Sequence, residues 1–251
     1  MNKLLLALAV IIMTSVCGFA GELKVLMIGN SFTHSVLTYL PSLVKASAED
    51  KLLLGQAEIP GCPIWRHIEE YEKSEADPSH RPYWTNLELK GNTPDGMSSL
   101  QELLDAEQWD IVTIQQASHE SWQSDKFDNF YPRLVEIIRK HCPKSEIVIQ
   151  QTWSYASDDP RVAKPSPTWG FDQDEMYRRL NENYRNMAKA LNARIIPTGY
   201  AVQLSRERAP EKYTPDMAAC IKMSMSSLDT ISSVNFLTLL LFCNAFKSSI
   251  Q

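Results

Sequence analysis

The chain has 251 residues, 44% of them hydrophobic and 22% charged, with a formal net charge of −5. This composition can fill a core, which excludes disorder as the main theme, and only 9 Gly exclude a collagen-like repeat. The acidic balance leaves no electrostatic footprint for nucleic acid.

Met1-Asn2-Lys3 is a short basic start, Leu4 to Met13 is unbroken and apolar, and Thr14 to Ala20 is small and mildly polar. That is the order of a secretory signal peptide. The apolar run is shorter than the roughly 20 residues a membrane-spanning helix needs. Residues 1–20 are therefore predicted to be removed after Ala20, giving a periplasmic or extracellular protein with no other membrane span. Lipidation at Cys17 is the competing reading, and Val16 fits it poorly. Cys62, Cys142, Cys220 and Cys243 remain, as free thiols or in bridges. With no Cys-x-x-Cys pair and no nucleotide motif, no metal and no cofactor are expected.

Lys24 to Gly29 is a short apolar run closed by Gly and reads as a buried parallel strand. Ser35 to Glu49 has helical spacing, a second strand is expected before Gly61, and Ile64 to Lys73 reads as a helix. Residues 74–96 carry three Pro and two Gly and read as a surface excursion. Leu100 to Ala106 is helical, Asp110 to Gln115 is a strand, and Phe130 to Lys140 is an amphipathic helix. Glu146 to Gln151 is a strand, and 158–170 is a Pro-rich loop. Asp172 to Leu191 is a helix with an acidic first turn, and Arg194 to Gly199 is a strand. Alternating strands and helices predict an α/β fold with a parallel sheet and helices on both faces. In such folds ligands bind at the carboxyl ends of the strands, so the residues just after each strand carry the chemistry.

The first strand is followed by Gly29-Asn30-Ser31-Phe32-Thr33-His34. Gly29 permits a tight turn, and Ser31 stands near a helix N-terminus. There it can act as a nucleophile whose own N–H helps hold an oxyanion, or it can simply cap the helix.

Gly29-Asn30-Ser31-Phe32 after the first strand resembles the Gly-Asp-Ser block of the SGNH hydrolases, the GDSL-like esterases. "IGNSFTHSV", "WDIVTIQQASHES" and "IVIQQTWSY" together resemble an exported branch of that superfamily with unassigned substrate, from about Lys24 to Arg208. The resemblance implies a three-layer flavodoxin-like fold in one domain, residues 21–212. It further implies a Ser nucleophile, an oxyanion hole and a His base from a late Asp-x-x-His block. Ser31 matches the nucleophile, with Asn30 in place of the usual Asp as a neighbour on the substrate side. Gly61, in Ile59-Pro60-Gly61-Cys62, matches the Gly whose N–H donates to the oxyanion, or serves only a turn. The third donor falls on His119 or on Gln116, depending on where the strand ends, unless either merely satisfies loop backbone.

Trp153 after the fourth strand is a pocket wall able to stack on a sugar ring, or core packing. His67 either faces the same cleft or is an ordinary helix histidine. His34 is near Ser31 but poorly angled for a base, His141 complements a helix C-terminus, and His80 has no assigned role.

The Asp-x-x-His block has no counterpart, since His141 is the last histidine. Residues 213–251 form an atypical tail, ending in the apolar stretch Val234 to Phe246. It is read as genuine, as truncated, or as the product of a shifted reading frame. Asp216 or Glu120 could replace the base, but no spacing argument supports either. Two functions follow. One is an exported serine esterase acting through a Ser31 acyl-enzyme on an acetylated carbohydrate or a similar small ester. The other is a non-catalytic carbohydrate-binding protein on the same fold.

Overall fold

A computed structural model describes residues 22–33, 37, 40, 51–84, 96–163 and 168–208. The leader (1–20), His34, most of the Ser35–Glu49 helix, and the tail with Asp216 lie outside the described residues.

The strands are β1 (Glu22–Gly29), β2 (Lys51–Glu58), β3 (Tyr83–Trp84), β4 (Met97–Ser98), β5 (Ile111–Ile114), β6 (Glu146–Gln150) and β7 (Arg194–Ile196). The helices are α1 (Ile64–Ala76), α2 (Leu100–Asp105), α3 (Asp125–Asp128), α4 (Tyr131–His141), α5 (Gln173–Leu191) and α6 (Thr198–Arg208). The sheet order is β4-β3-β2-β1-β5-β6-β7. Strands β2, β1, β5, β6 and β7 are mutually parallel, and the two-residue strands β3 and β4 add an antiparallel edge. Taking the parallel strands alone, the order is that of a flavodoxin-like sheet. The chain leaves β1 toward one side and returns at β5 on the other, so the switch point lies between these two strands.

The central strands β1, β5 and β6 are largely apolar on both faces because both are covered. Leu26, Ile28, Val112, Ile114, Ile147 and Ile149 point to one face. There they meet Ile64, Ile68 and Tyr71 of α1, Leu103 of α2, Ile137 of α4 and Leu180 of α5. The alternate positions Val25, Met27, Leu54, Ile111, Val148 and Ile196 form a smaller core with Leu37 and Leu40. A sheet between two such layers is the expected three-layer α/β architecture.

Several ends are set locally. α2 starts with a capping box, in which Ser99 accepts from the Glu102 N–H and Glu102 accepts from the Ser99 N–H. α5 starts at Asp172, whose side chain accepts from the Glu175 N–H, and ends at Asn192 in the left-handed region. The expected strand Arg194–Gly199 stops at Ile196, and Thr198-Gly199 instead opens α6. The expected surface excursion 74–96 contains the end of α1 and the edge strand β3.

Candidate active site

The strand ends at the switch point converge on the turn after β1. Ser31 is exposed and begins a 3-10 turn, Ser31–Thr33. Its hydroxyl has no hydrogen-bond partner among the described residues. Everything beneath it is held. The Asn30 carbonyl accepts from the Thr33 N–H at 2.8 Å, and the Asn30 Oδ1 accepts from the Phe32 N–H at 3.2 Å. Gln115, directly after β5, accepts from the Asn30 N–H and the Thr33 hydroxyl. Gln150, the last residue of β6, donates to the Phe32 carbonyl. Gly29 leaves room for this packing. A Cβ there would stand 2.6 Å from Thr33 Oγ1 and 2.8 Å from Gln115 Oε1.

The loop after β2 lies against the same turn. The Ile59 N–H donates to the Gly29 carbonyl, the Cys62 N–H donates to the Ile59 carbonyl, and Asn30 Nδ2 donates to the Cys62 carbonyl at 3.2 Å. Gly61 is exposed with φ +64°, while a Cβ there would meet nothing within 4 Å, so conformation rather than space calls for glycine. Among the described residues the N–H groups of Ser31 and Gly61 have no partner. Two backbone donors are thus free on adjoining segments at the carboxyl edge of the sheet.

The remaining candidates separate. His119 is exposed on the turn after β5, where only its carbonyl is engaged, by Gln123. Gln116 is fully buried, with both ends of its amide engaged. Its Nε2 donates to the Lys126 carbonyl, and its Oε1 accepts from the Ile64 and Ala117 N–H groups. Its amide therefore serves the N-terminus of α1, which has no side-chain cap of its own. Asn30 is 1% exposed, and its side chain shapes the turn.

His67 takes the second of its two expected places, as a helix histidine inside the core. It is fully buried, stacked on Tyr83 and bonded to the Tyr83 hydroxyl through Nδ1 at 3.0 Å. Burial, aided by the Arg66 charge, lowers its pKa to about 3, so it is a neutral core group. Trp153 is half-buried, and its ring lies 4.1 Å from the Phe32 ring, next to Ser31. It flanks the Ser31 turn from the far side of β5. Glu120 accepts from the Trp65 indole N–H. Cys62 and Cys142 are free and buried, and burial pushes the Cys62 thiol up to about 12, which keeps it protonated.

Gln115 and Gln150 were not singled out by sequence. The available signal was position. Gln115 extends the alternation of Ile111 and Thr113, and a polar residue at the carboxyl end of an otherwise apolar strand faces the turns gathered there.

Among the described residues no three His, Cys, Asp or Glu side chains gather to hold a metal, and no helix is long and apolar enough to cross a membrane.

The family model described as a domain of unknown function (DUF4886) matches residues 24–214. The chain belongs to the DUF4886 family. No curated protein matches it by sequence. A crystal structure of a DUF4886 family protein from Bacteroides uniformis ATCC 8492 is similar, with 24% identity, a TM-score of 0.66, and coverage of 92% of this chain and 97% of that one. A putative GDSL-like lipase from Parabacteroides merdae ATCC 43184 shares 14% identity at a TM-score of 0.56, covering 91% of this chain and 96% of its own. The acetyl xylan esterase AlAXEase shares 13% identity at a TM-score of 0.53, with 90% and 99% covered. At these identities the likeness is one of fold. This DUF4886 chain therefore has the SGNH-type hydrolase fold.

Proposed function

We propose that this DUF4886 protein is an exported serine ester hydrolase of the SGNH type, acting on an acetylated carbohydrate or a similar small ester. The observation that carries this reading is Ser31 itself. It is an exposed hydroxyl on a rigidly held turn at the switch point, beside two uncommitted backbone N–H groups. In the reaction, Ser31 Oγ attacks the ester carbonyl and its proton passes through a base to the departing alcohol. The Ser31 and Gly61 N–H groups, with the His119 ring N–H, hold the oxyanion. Water then attacks the acyl-enzyme, releasing the acid and restoring Ser31. Trp153 supplies a face on which a sugar ring can stack. The basic, apolar, small-residue start of the chain supports export.

The superfamily's Asp-x-x-His base has no match in this sequence, and loss of a serine enzyme's base costs up to about a million-fold in rate. That favours a second reading, a glycan-binding protein with the same cleft.

Hydrolysis of an activated acetate ester by wild type and Ser31→Ala separates the two. The esterase reading expects Ser31→Ala to lose about a thousand-fold or more. Equal, near-zero rates in both proteins would sink it. Saccharide binding without turnover, unchanged in Ser31→Ala, would establish the second reading.

A further inference from the structure

Resting on the Ser31 reading, we propose that Asn30 is a positioning residue: its side chain locks the Ser31 turn to the Gly61 loop, so that the two oxyanion donors stay aimed at one oxygen. Asn30 is 1% exposed, so its side chain is closed off from solvent. Its Oδ1 accepts from the Phe32 N–H within the turn, and its Nδ2 donates to the Cys62 carbonyl in the loop, each at 3.2 Å. A second tie between these segments, the Ile59 N–H to the Gly29 carbonyl at 3.4 Å, lies on the strand side of the loop. The Asn30 bond instead ties the turn to Cys62, the residue after Gly61.

The chemistry selects an amide. One end must accept and the other must donate, which asparagine does in one planar group. An ionised aspartate of the same shape keeps the bond to Phe32 but sets a second acceptor against the Cys62 carbonyl. A protonated aspartate donates again. Asn30→Asp thus carries its own internal control.

In the expected outcome, Asn30→Asp at about pH 8 loses about tenfold in kcat, the worth of one misplaced hydrogen bond, with KM changed less than about twofold. Burial raises the introduced carboxyl above its usual value near 4, so the ratio of variant to wild-type kcat climbs as pH falls toward about 5. The charged groups facing Cys62, namely Arg66, Glu70 and Glu120, are common to both proteins and cancel in that ratio. A second measurement does not need turnover. Hydrogen exchange at the 59–63 amides, corrected for intrinsic rates, is faster in the variant at pH 8 and recovers at pH 5. Wild-type kcat in the variant, a kcat loss that pH does not change, or unaltered exchange at the loop would each overturn the positioning role. A wild type that hydrolyses no ester sinks the esterase reading alone, and the exchange data then decide whether Asn30 joins turn and loop.

Discussion

Two polar networks sit at opposite edges of the sheet, and they are built differently. Under Ser31, at the carboxyl edge, the groups are Asn30, Thr33, Gln115 and Gln150, all neutral and all buried. At the amino edge, α1, α2 and α4 are joined by charges. His141 bonds Asp105 and the Tyr71 hydroxyl, and Lys140 bonds Tyr71 and Glu75. Here the carboxylates and the ammonium are largely exposed, and Lys140 holds Glu75 below its usual carboxylate range. The difference is one of task. Exposed ion pairs contribute roughly 0–1 kcal/mol each and shift with salt and pH. Buried amides hold a geometry that neither salt nor pH alters. The Ser31 turn therefore sits on a support that does not titrate, which leaves the pH dependence of any reaction to the reacting groups.

The largest expected effect tests the neutral network. Gln115→Leu keeps the volume but removes the acceptor for the Asn30 N–H and the Thr33 hydroxyl. Two buried donors lose their partner, which costs about 2–6 kcal/mol before any offset, since each unmade bond costs roughly 1–3. The substitution also removes an amide nitrogen, Gln115 Nε2, that is buried without a partner, and this offsets part of the loss. Denaturant unfolding measures the effect, and Ser31-dependent hydrolysis should fall with it. An unchanged midpoint would mean that Gln115 does not hold the turn.

The next effect concerns a titratable group that the core silences. His67 has its folded pKa lowered to about 3 against an ordinary 6.5, chiefly by burial. The unfolded chain then binds more protons than the folded one between about pH 6.5 and 3, so stability rises with pH across that window. The contribution is complete above the window and is lost as pH falls through it. From pH 7 to about 4.5 the loss amounts to about 3 kcal/mol. His67→Phe should be less stable at pH 7 by about 1 kcal/mol, the bond to Tyr83. It should also lack this part of the acid slope. Parallel stability–pH curves for the two proteins would show that His67 titrates normally.

The same contrast explains what sequence could reveal. Strands β1, β5 and β6 stood out as short apolar runs, and α1, α4 and α5 by their period, because burial on both faces or on one stripe leaves a local pattern. Ser31 was legible from its place after β1. The two-residue strands β3 and β4 were not, being too short for any alternation. α6 is not legible because Thr198-Gly199 reads as the end of a strand, and the close packing that calls for Gly199, where a Cβ would lie 2.2 Å from the Thr152 carbonyl oxygen, comes from a residue far away in sequence. The bonding partners of Asn30, His67 and Gln116 are not legible locally, for a related reason. Whether a polar side chain turns inward depends on partners far away in sequence, such as Gln115 reaching Asn30 across 85 positions. No local period encodes that choice.

The smallest expected effect tests the charged edge. Asp105→Asn removes one charge from the His141 contact while keeping an oxygen able to accept from the ring, and Asp105 is 61% exposed at its side chain. Solvent already screens this carboxylate, so stability should change by less than about 0.5 kcal/mol in denaturant unfolding. The substitution lies at the opposite edge of the sheet from Ser31, and the neutral network between them has no charge through which to feel it. Hydrolysis and its pH profile should therefore match wild type. A shifted profile in Asp105→Asn would mean that the two edges are electrostatically coupled, and that the amide support under Ser31 does not isolate the site as its chemistry requires.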